Sequence, residues 1–302
     1  MPPDPSQKEV PQLFDPVKAE RALSRALRAG PATFLLERAA EDLIERLDPV
    51  LREFDPVLDL GTPGAQFGAV LRRAGKASNI EHRGEIGSFI PEIASRSITW
   101  PDLGLEAGRY GLIASGLVMQ RVNDVPGFLA QARRALKPDG LFIAAFIGGD
   151  SLHELRDCLM SAESELTGAA AMRVFPLVDV RAAGQLLQRA GLALPVTDAE
   201  KISIRYSNFF RLIAEWRGMG ASASLLRRGP TPPLTRRILF RAAELYAERY
   251  AEADGRLRAT IEIIWMSGWA PHESQQQPLK PGSAKARLAD ALAKISEEKK
   301  AD

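Results

Sequence analysis

Apolar residues recur three and four positions apart through Ala22, Leu23, Ala26 and Leu27, and again through Leu35, Leu36, Ala39, Leu43, Ile44 and Leu47. That spacing predicts two amphipathic helices. Gly30-Pro31 separates them, because proline is accepted at a helix start but not inside one. From Pro56 the pattern changes to short apolar runs alternating with helical periodicity. Strands are predicted at 56–60, 77–81, 97–100, 110–118 and 140–147, with helices at 65–74, 85–95 and 124–136. Such alternation builds an α/β fold, a parallel sheet covered by helices on both faces. The run Tyr110–Leu117 is almost wholly apolar, as a central strand requires. Lys137-Pro138-Asp139-Gly140 supplies a helix stop and a turn.

Beyond residue 150 the pattern predicts helices near 151–166 and 178–190, a strand near 200–206, and helices near 207–217 and 234–252. A last strand, Ala259–Met266, is rich in β-branched and aromatic residues. The two helices between the last strands read as a helical cap, about 207–252, inserted over one edge of the sheet. Residues 1–12 are expected to be a loose arm, 13–271 one domain, and 272–302 a polar tail.

The 302 residues carry 40 Lys and Arg against 38 Asp and Glu, with the two signs interspersed. No global field marks a nucleic-acid binder. The single cysteine, Cys158, excludes an internal disulfide and a cysteine-only metal cluster, and it favours a reducing compartment. The proline-rich start has no apolar core of a secretory signal, and no apolar run approaches a membrane span. A cytoplasmic protein is expected.

In an open parallel sheet, ligands sit beyond the carboxyl ends of the strands, where strand order reverses. Three features are expected there. Val57–Gly68 reads as a buried strand breaking into a glycine-rich turn and then a helix. Asp59 would hold the turn or face a ligand's ammonium group. Gly61 and Gly64 would let the backbone approach a polar ligand. Glu81, read as ending the second strand, stands where an acid accepts hydrogen bonds from ribose hydroxyls. Asp102, beyond the third strand, is the candidate to reach an adenine-like ring. The turn lacks the Gly-x-Gly-x-x-Gly spacing of a pyrophosphate site, so S-adenosylmethionine suits it better than NAD. Taken singly, the glycines also suit an ordinary strand–helix turn, and Glu81 a solvated loop. His82, His153 and His272 are widely separated, and no metal site is expected. No nucleophile elbow or P-loop is present, and catalytic residues are not assigned. The pairs Arg227-Arg228 and Arg236-Arg237 read as a solvated loop or a basic docking rim.

Several segments together resemble a known family. They are Leu13-Phe14-Asp15, Ser115–Asp124, Leu136–Gly140, Gly148-Gly149-Asp150-Ser151-Leu152-His153-Glu154-Leu155-Arg156, Gly218-Met219-Gly220 and Gly268–Gln276. They resemble bacterial relatives of the mitochondrial complex I assembly factor that acts as a protein-arginine hydroxylase. The resemblance implies the class I methyltransferase (Rossmann-like) fold and S-adenosylmethionine as cofactor. It implies a methyltransferase that modifies a protein partner, a respiratory complex I subunit being the candidate, with peripheral membrane association left open. Arginine hydroxylation and a non-catalytic assembly role are the alternatives. Asp150, His153 and Arg156 become candidate contacts for the substrate or partner. Thr62 and Ala65 stand where the family commonly has Cys and Gly, Gln120-Arg121 where it has His-Trp, and Gly111 where it has Asp.

Overall fold

The computed structural model describes residues 12–174, 176–222, 224–226 and 233–275. Seven strands form one sheet in the order β3-β2-β1-β4-β5-β7-β6. They are β1 (Val57–Leu60), β2 (Ile80–Gly84), β3 (Ala94–Ser97), β4 (Tyr110–Gly116), β5 (Leu136–Gly148), β6 (Ala193–Tyr206) and β7 (Leu257–Trp269). The first five run parallel, and β7 enters antiparallel between β5 and β6. This is the class I methyltransferase fold that the resemblance implied. Strand order reverses between β1 and β4, which fixes where a ligand crevice opens.

The helices are α1 (Pro16–Ala29), α2 (Phe34–Leu47), α3 (Gln66–Arg73), α4 (Val125–Ala135), α5 (His153–Thr167), α6 (Val180–Arg189), α7 (Phe209–Gly218) and α8 (Arg236–Tyr250). Short polar side chains start several of them. Asp15, Asp124, Asp179 and Asn208 each accept a backbone N–H from the first turn. Helices α2, α3, α5, α7 and α8 bury their apolar faces on one side of the sheet. Helices α4 and α6 cover the other. β1 and β4 are buried along their length because both faces are covered. Helices α7 and α8 stand between β6 and β7, where the insertion was expected.

Three expectations are corrected. The second strand runs from Ile80 to Gly84 instead of 77–81, so Glu81 is near its start. Its side chains alternate between buried Ile80, His82 and Gly84 and half-buried Glu81 and Arg83, a strand pattern that a polar histidine and arginine concealed. The segment 85–93 forms turns, not a helix. Gly87 and Pro91 account for this, since both disfavour a helix interior. β6 reaches back to Ala193, seven residues before the predicted start at 200. It is a polar edge strand whose side chains are mostly exposed or half-buried.

By compactness the chain divides into Met1–Pro271 and His272–Asp302. The pair Arg227-Arg228, the arm over residues 1–11 and the tail from 276 onward lie outside the described residues. No helix among the described residues is long and apolar enough to cross a membrane.

Leu112 lies fully buried in β4, the strand between β1 and β5. Leu112→Ala should lower the unfolding free energy by about 2–5 kcal/mol. Urea denaturation followed by circular dichroism checks this, with the midpoint falling and the slope unchanged.

Candidate site at the carboxyl edge of the sheet

Asp59, the third residue of β1, is completely buried. Its Oδ2 accepts the Gly68 backbone N–H at 2.7 Å, tying the strand end to the first turn of α3. Its Oδ1 is buried without a hydrogen-bond partner among the described residues. Burial therefore pushes this carboxyl up to about 7, only partly opposed by the polar groups of Thr62, Gly68 and Phe67.

The turn that follows is held from both sides. Thr62 is fully buried, and its Oγ1 accepts the Gly116 N–H at 2.8 Å, bridging the turn to the end of β4. Its carbonyl oxygen accepts from His82 Nε2 at 3.0 Å, and His82 Nδ1 lies 2.8 Å from Ser95 Oγ. A carbonyl only accepts, so the proton sits on Nε2 and Nδ1 takes the Ser95 hydroxyl proton. Burial lowers the His82 pKa and keeps the ring neutral. Gly61 and Gly64 both have positive φ, at 81° and 65°. A Cβ at Gly61 would lie 2.9 Å from Val118, and one at Gly64 would overlap the half-exposed Phe89 ring. Ala65 takes φ 62° with a side chain, in a conformation that glycine adopts without strain.

Glu81 is not at the carboxyl end of β2. It is the second residue of that strand, and it accepts from the guanidinium of Arg109 and, at 3.1 Å, from the Tyr110 hydroxyl. Arg109 and Tyr110 mark the opposite, amino-terminal edge of β4. Glu85, the residue after β2, occupies the edge that Glu81 was expected to hold. Its carboxylate takes the Trp100 indole N–H at 2.9 Å and pairs with the guanidinium of Arg121. Both members of that pair are largely buried, at 11% and 14% exposure.

Asp102 is exposed, and its Oδ1 accepts the Gly104 N–H at 3.0 Å within a turn. The β2–β3 ladder ends nearer to Trp100, since the Ile98 N–H still reaches the Gly84 carbonyl at 3.2 Å.

Asp150 and His153 come together in the turn between β5 and α5. His153 Nδ1 donates to the Asp150 carbonyl at 3.0 Å, and the Asp150 carboxylate faces Lys201 at 3.3 Å. Arg156 stands one turn further along α5, half-buried, its guanidinium unpartnered among the described residues. Beneath them Ser151 and Glu154 stitch this turn to β7. Ser151 Oγ donates to the Gly148 carbonyl at 2.6 Å and accepts the Glu262 N–H at 2.7 Å. The fully buried Glu154 accepts the Thr260 N–H and hydroxyl at 3.1 and 2.6 Å.

Sequence reasoning missed Glu85, Arg121 and Asn123 as parts of this edge. Asn123 clamps the chain start, accepting the Leu13 and Phe14 N–H groups at 2.8 Å and donating to the Phe14 carbonyl at 2.9 Å. A signal for Glu85 was available in the Gly84-Glu85 step, once the strand pattern Ile80–Gly84 is read in the right register. Between the turn, β4, β5, α1, α5 and α7 lies a cavity of about 330 Å³. Among the described residues, no group of three or more His, Cys, Asp or Glu is arranged to hold a metal ion.

The chain as a whole is similar to several known proteins. The arginine-hydroxylase NDUFAF5 of Danio rerio is 32% identical over 290 residues, covering 90% of this chain and 86% of the relative. The Homo sapiens protein of the same name is 34% identical over 269 residues, covering 87% and 77%. The chain belongs to the NDUFAF5 arginine-hydroxylase family. It is also 28% identical over 272 residues to the malonyl-[acyl-carrier protein] O-methyltransferase of Xylella fastidiosa, covering 86% of this chain and 89% of that one. The crystal structure of the YcgJ protein from Bacillus subtilis superposes with a TM-score of 0.54 at 10% identity, over 78% of this chain and 99% of the other. That likeness shows the fold alone. No protein-family model matches. The similarity to the NDUFAF5 relatives thus extends along most of the chain.

Because its pKa rises from 3.8 to about 7 on folding, Asp59 stabilises the protein fully below about pH 4. That contribution is lost as pH rises through about 7. Three pKa units correspond to roughly 4 kcal/mol. His82 acts in the opposite sense, since its lowered pKa favours the folded state above its unfolded value of 6.5. Asp59→Asn should therefore gain stability relative to the parent protein between pH 5 and pH 8. Urea midpoints of both proteins across that range check this, and parallel curves would count against the shift.

Proposed function

We propose that the protein binds S-adenosylmethionine at the carboxyl edge of β1 and modifies a partner protein, with a respiratory complex I subunit as candidate substrate. The carrying observation is the buried Asp59 with an unpartnered oxygen beneath the turn Gly61–Ala65. A buried carboxylate oxygen without a donor is costly alone, and a ligand or its water can satisfy it. Gly61 and Gly64 bring bare backbone to the same edge, and Glu85 follows the end of β2 one strand away. These groups fit an adenosyl cofactor with a cationic methionine end. Family membership supports the same reading.

When bound, the cofactor supplies an electrophilic methyl on its sulfonium. The protein's task is then to orient the acceptor and exclude water. Asp59 and Thr62 fix the turn, and Glu85 would accept the ribose hydroxyls in place of Arg121 or Trp100. Phe89, half exposed over Gly64, would gate access. Asp150, His153 and Arg156, beyond the carboxyl end of β5 and two strands from β1, are the contacts proposed for the partner.

A second reading is a non-catalytic assembly factor, favoured by one observation. Glu85 is already engaged by Arg121 and Trp100, and Val118 and Phe89 sit against the two turn glycines. Arginine hydroxylation, the activity in the name of the NDUFAF5 relatives, is a third outcome of the same site.

Calorimetry with S-adenosylmethionine separates these. The enzyme readings predict a dissociation constant below about 1 mM, equivalent to about 4 kcal/mol. Glu85→Ala should weaken binding at least tenfold, whereas Glu81→Ala should bind within about twofold of the parent. Absence of binding at millimolar ligand would favour the assembly factor, and equal losses for both variants would overturn the role given to Glu85.

A further inference from the structure

The cavity beside the turn has a distinctive lining. Leu23, Leu117, Ile147, Leu155, Leu159 and Ile213 give it an apolar body. Its polar members are unusual in sign. Arg121, Arg173 and Arg217 line it, and no Asp or Glu does so among the described residues. The first two are neutralised from outside the lining. Arg121 pairs with Glu85, and Arg173 pairs with the buried Glu163 through Nε at 3.0 Å. Arg217 differs from both. It is exposed at the end of α7, and its guanidinium has no ion-pair or hydrogen-bond partner among the described residues.

Two buried polar atoms of lining residues also lack partners. They are the indole N–H of Trp216, a residue 8% exposed, and the Gln120 side-chain oxygen. Buried groups of this kind are normally satisfied, so both are left with unmet hydrogen-bonding capacity beside the cavity. The cavity is at the small end of ligand pockets, which run from about 300 to 1,000 Å³. Its shape is suited to one short apolar group with a polar end.

The sign of that end follows from the charges. A guanidinium or ammonium would meet an unpaired arginine at the mouth and find no carboxylate in the lining. Among the described lining residues, the Trp216 ring and the unpartnered Gln120 oxygen are the groups that would attract a cation, each a contribution of modest size beside the charge of Arg217. A carboxylate would pair with Arg217 and could accept the Trp216 N–H, both charge-assisted. We propose that the cavity takes a short acyl or aromatic acid, its apolar tail against Leu155, Leu159 and Ile147 and its carboxylate on Arg217. This assignment does not depend on whether the turn holds S-adenosylmethionine.

Isothermal titration of the full chain with octanoate, octanamide and octylguanidinium tests it. Octanoate should bind at least tenfold more tightly than octylguanidinium. Arg217→Gln, at an exposed position, should weaken octanoate about tenfold and leave octanamide within twofold. Leu155→Trp should fill the cavity and abolish both, with circular dichroism as the check on folding. Should that variant not fold, Ile213→Trp closes the same cavity from α7. The proposal is overturned if octylguanidinium binds as tightly as octanoate. It is equally overturned if Arg217→Gln leaves octanoate binding unchanged, or if octanoate fails to saturate by about 5 mM. Loss of S-adenosylmethionine binding with octanoate binding intact would bear on the function proposed above and not on this site.

Discussion

A carboxylate with no access to water holds the functional edge of this protein together. Asp59 is buried at the end of β1, and its bond to the Gly68 N–H draws the start of α3 over the strand. Everything at the carboxyl edge takes its position from that step. Thr62 can reach Gly116 because the turn is pinned there, and His82 can reach the Thr62 carbonyl for the same reason. The cost is a desolvated acid with one orphaned oxygen. Proteins keep such a group where it serves a ligand more often than where it serves stability, since an apolar residue would pack there without penalty.

The layout of charge distinguishes the two ends of the sheet. At the amino-terminal edge, Glu81 is held by Arg109 and Tyr110, a partly exposed arrangement whose contribution to stability is small. At the carboxyl edge, Glu85 and Arg121 are nearly buried together, and removal of either partner would leave an uncompensated charge. Two acids four residues apart, one near the start of β2 and one just past its end, thus have opposite settings. The acid expected at the carboxyl edge, Glu81, stands at the opposite edge, and Glu85 occupies the place it was expected to hold.

Much of the fold was legible in the pattern of apolar residues. The strands buried on both faces, β1, β4 and β5, announced themselves as continuous apolar runs, and the helices α1 and α2 showed clear apolar periodicity. The strands that failed were those of mixed polarity. β2 hides His82 and Arg83 inside its pattern, and β6 is an edge strand whose exposed face looks like loop. The missing helix at 85–95 reflects glycine and proline overriding apolar spacing. The turn of the candidate site was legible at Asp59, Gly61 and Gly64, because strand–turn–helix geometry is local. It was not legible at Glu85 and Arg121, 36 residues apart and paired only by the return of β4 beside β1. Thr62 registered only as a departure from the family, although its hydroxyl supplies the bridge to β4.

Under the proposed function an adenosyl group settles over the turn with its ribose on Glu85. A crystal structure of the protein soaked with S-adenosylhomocysteine tests that most directly. The expected result is ribose hydroxyls within hydrogen-bond distance of the Glu85 carboxylate and the Phe89 ring displaced from Gly64. An adenosyl group bound at Glu81, or a turn still covered by Phe89 and Val118 at saturating ligand, would contradict it.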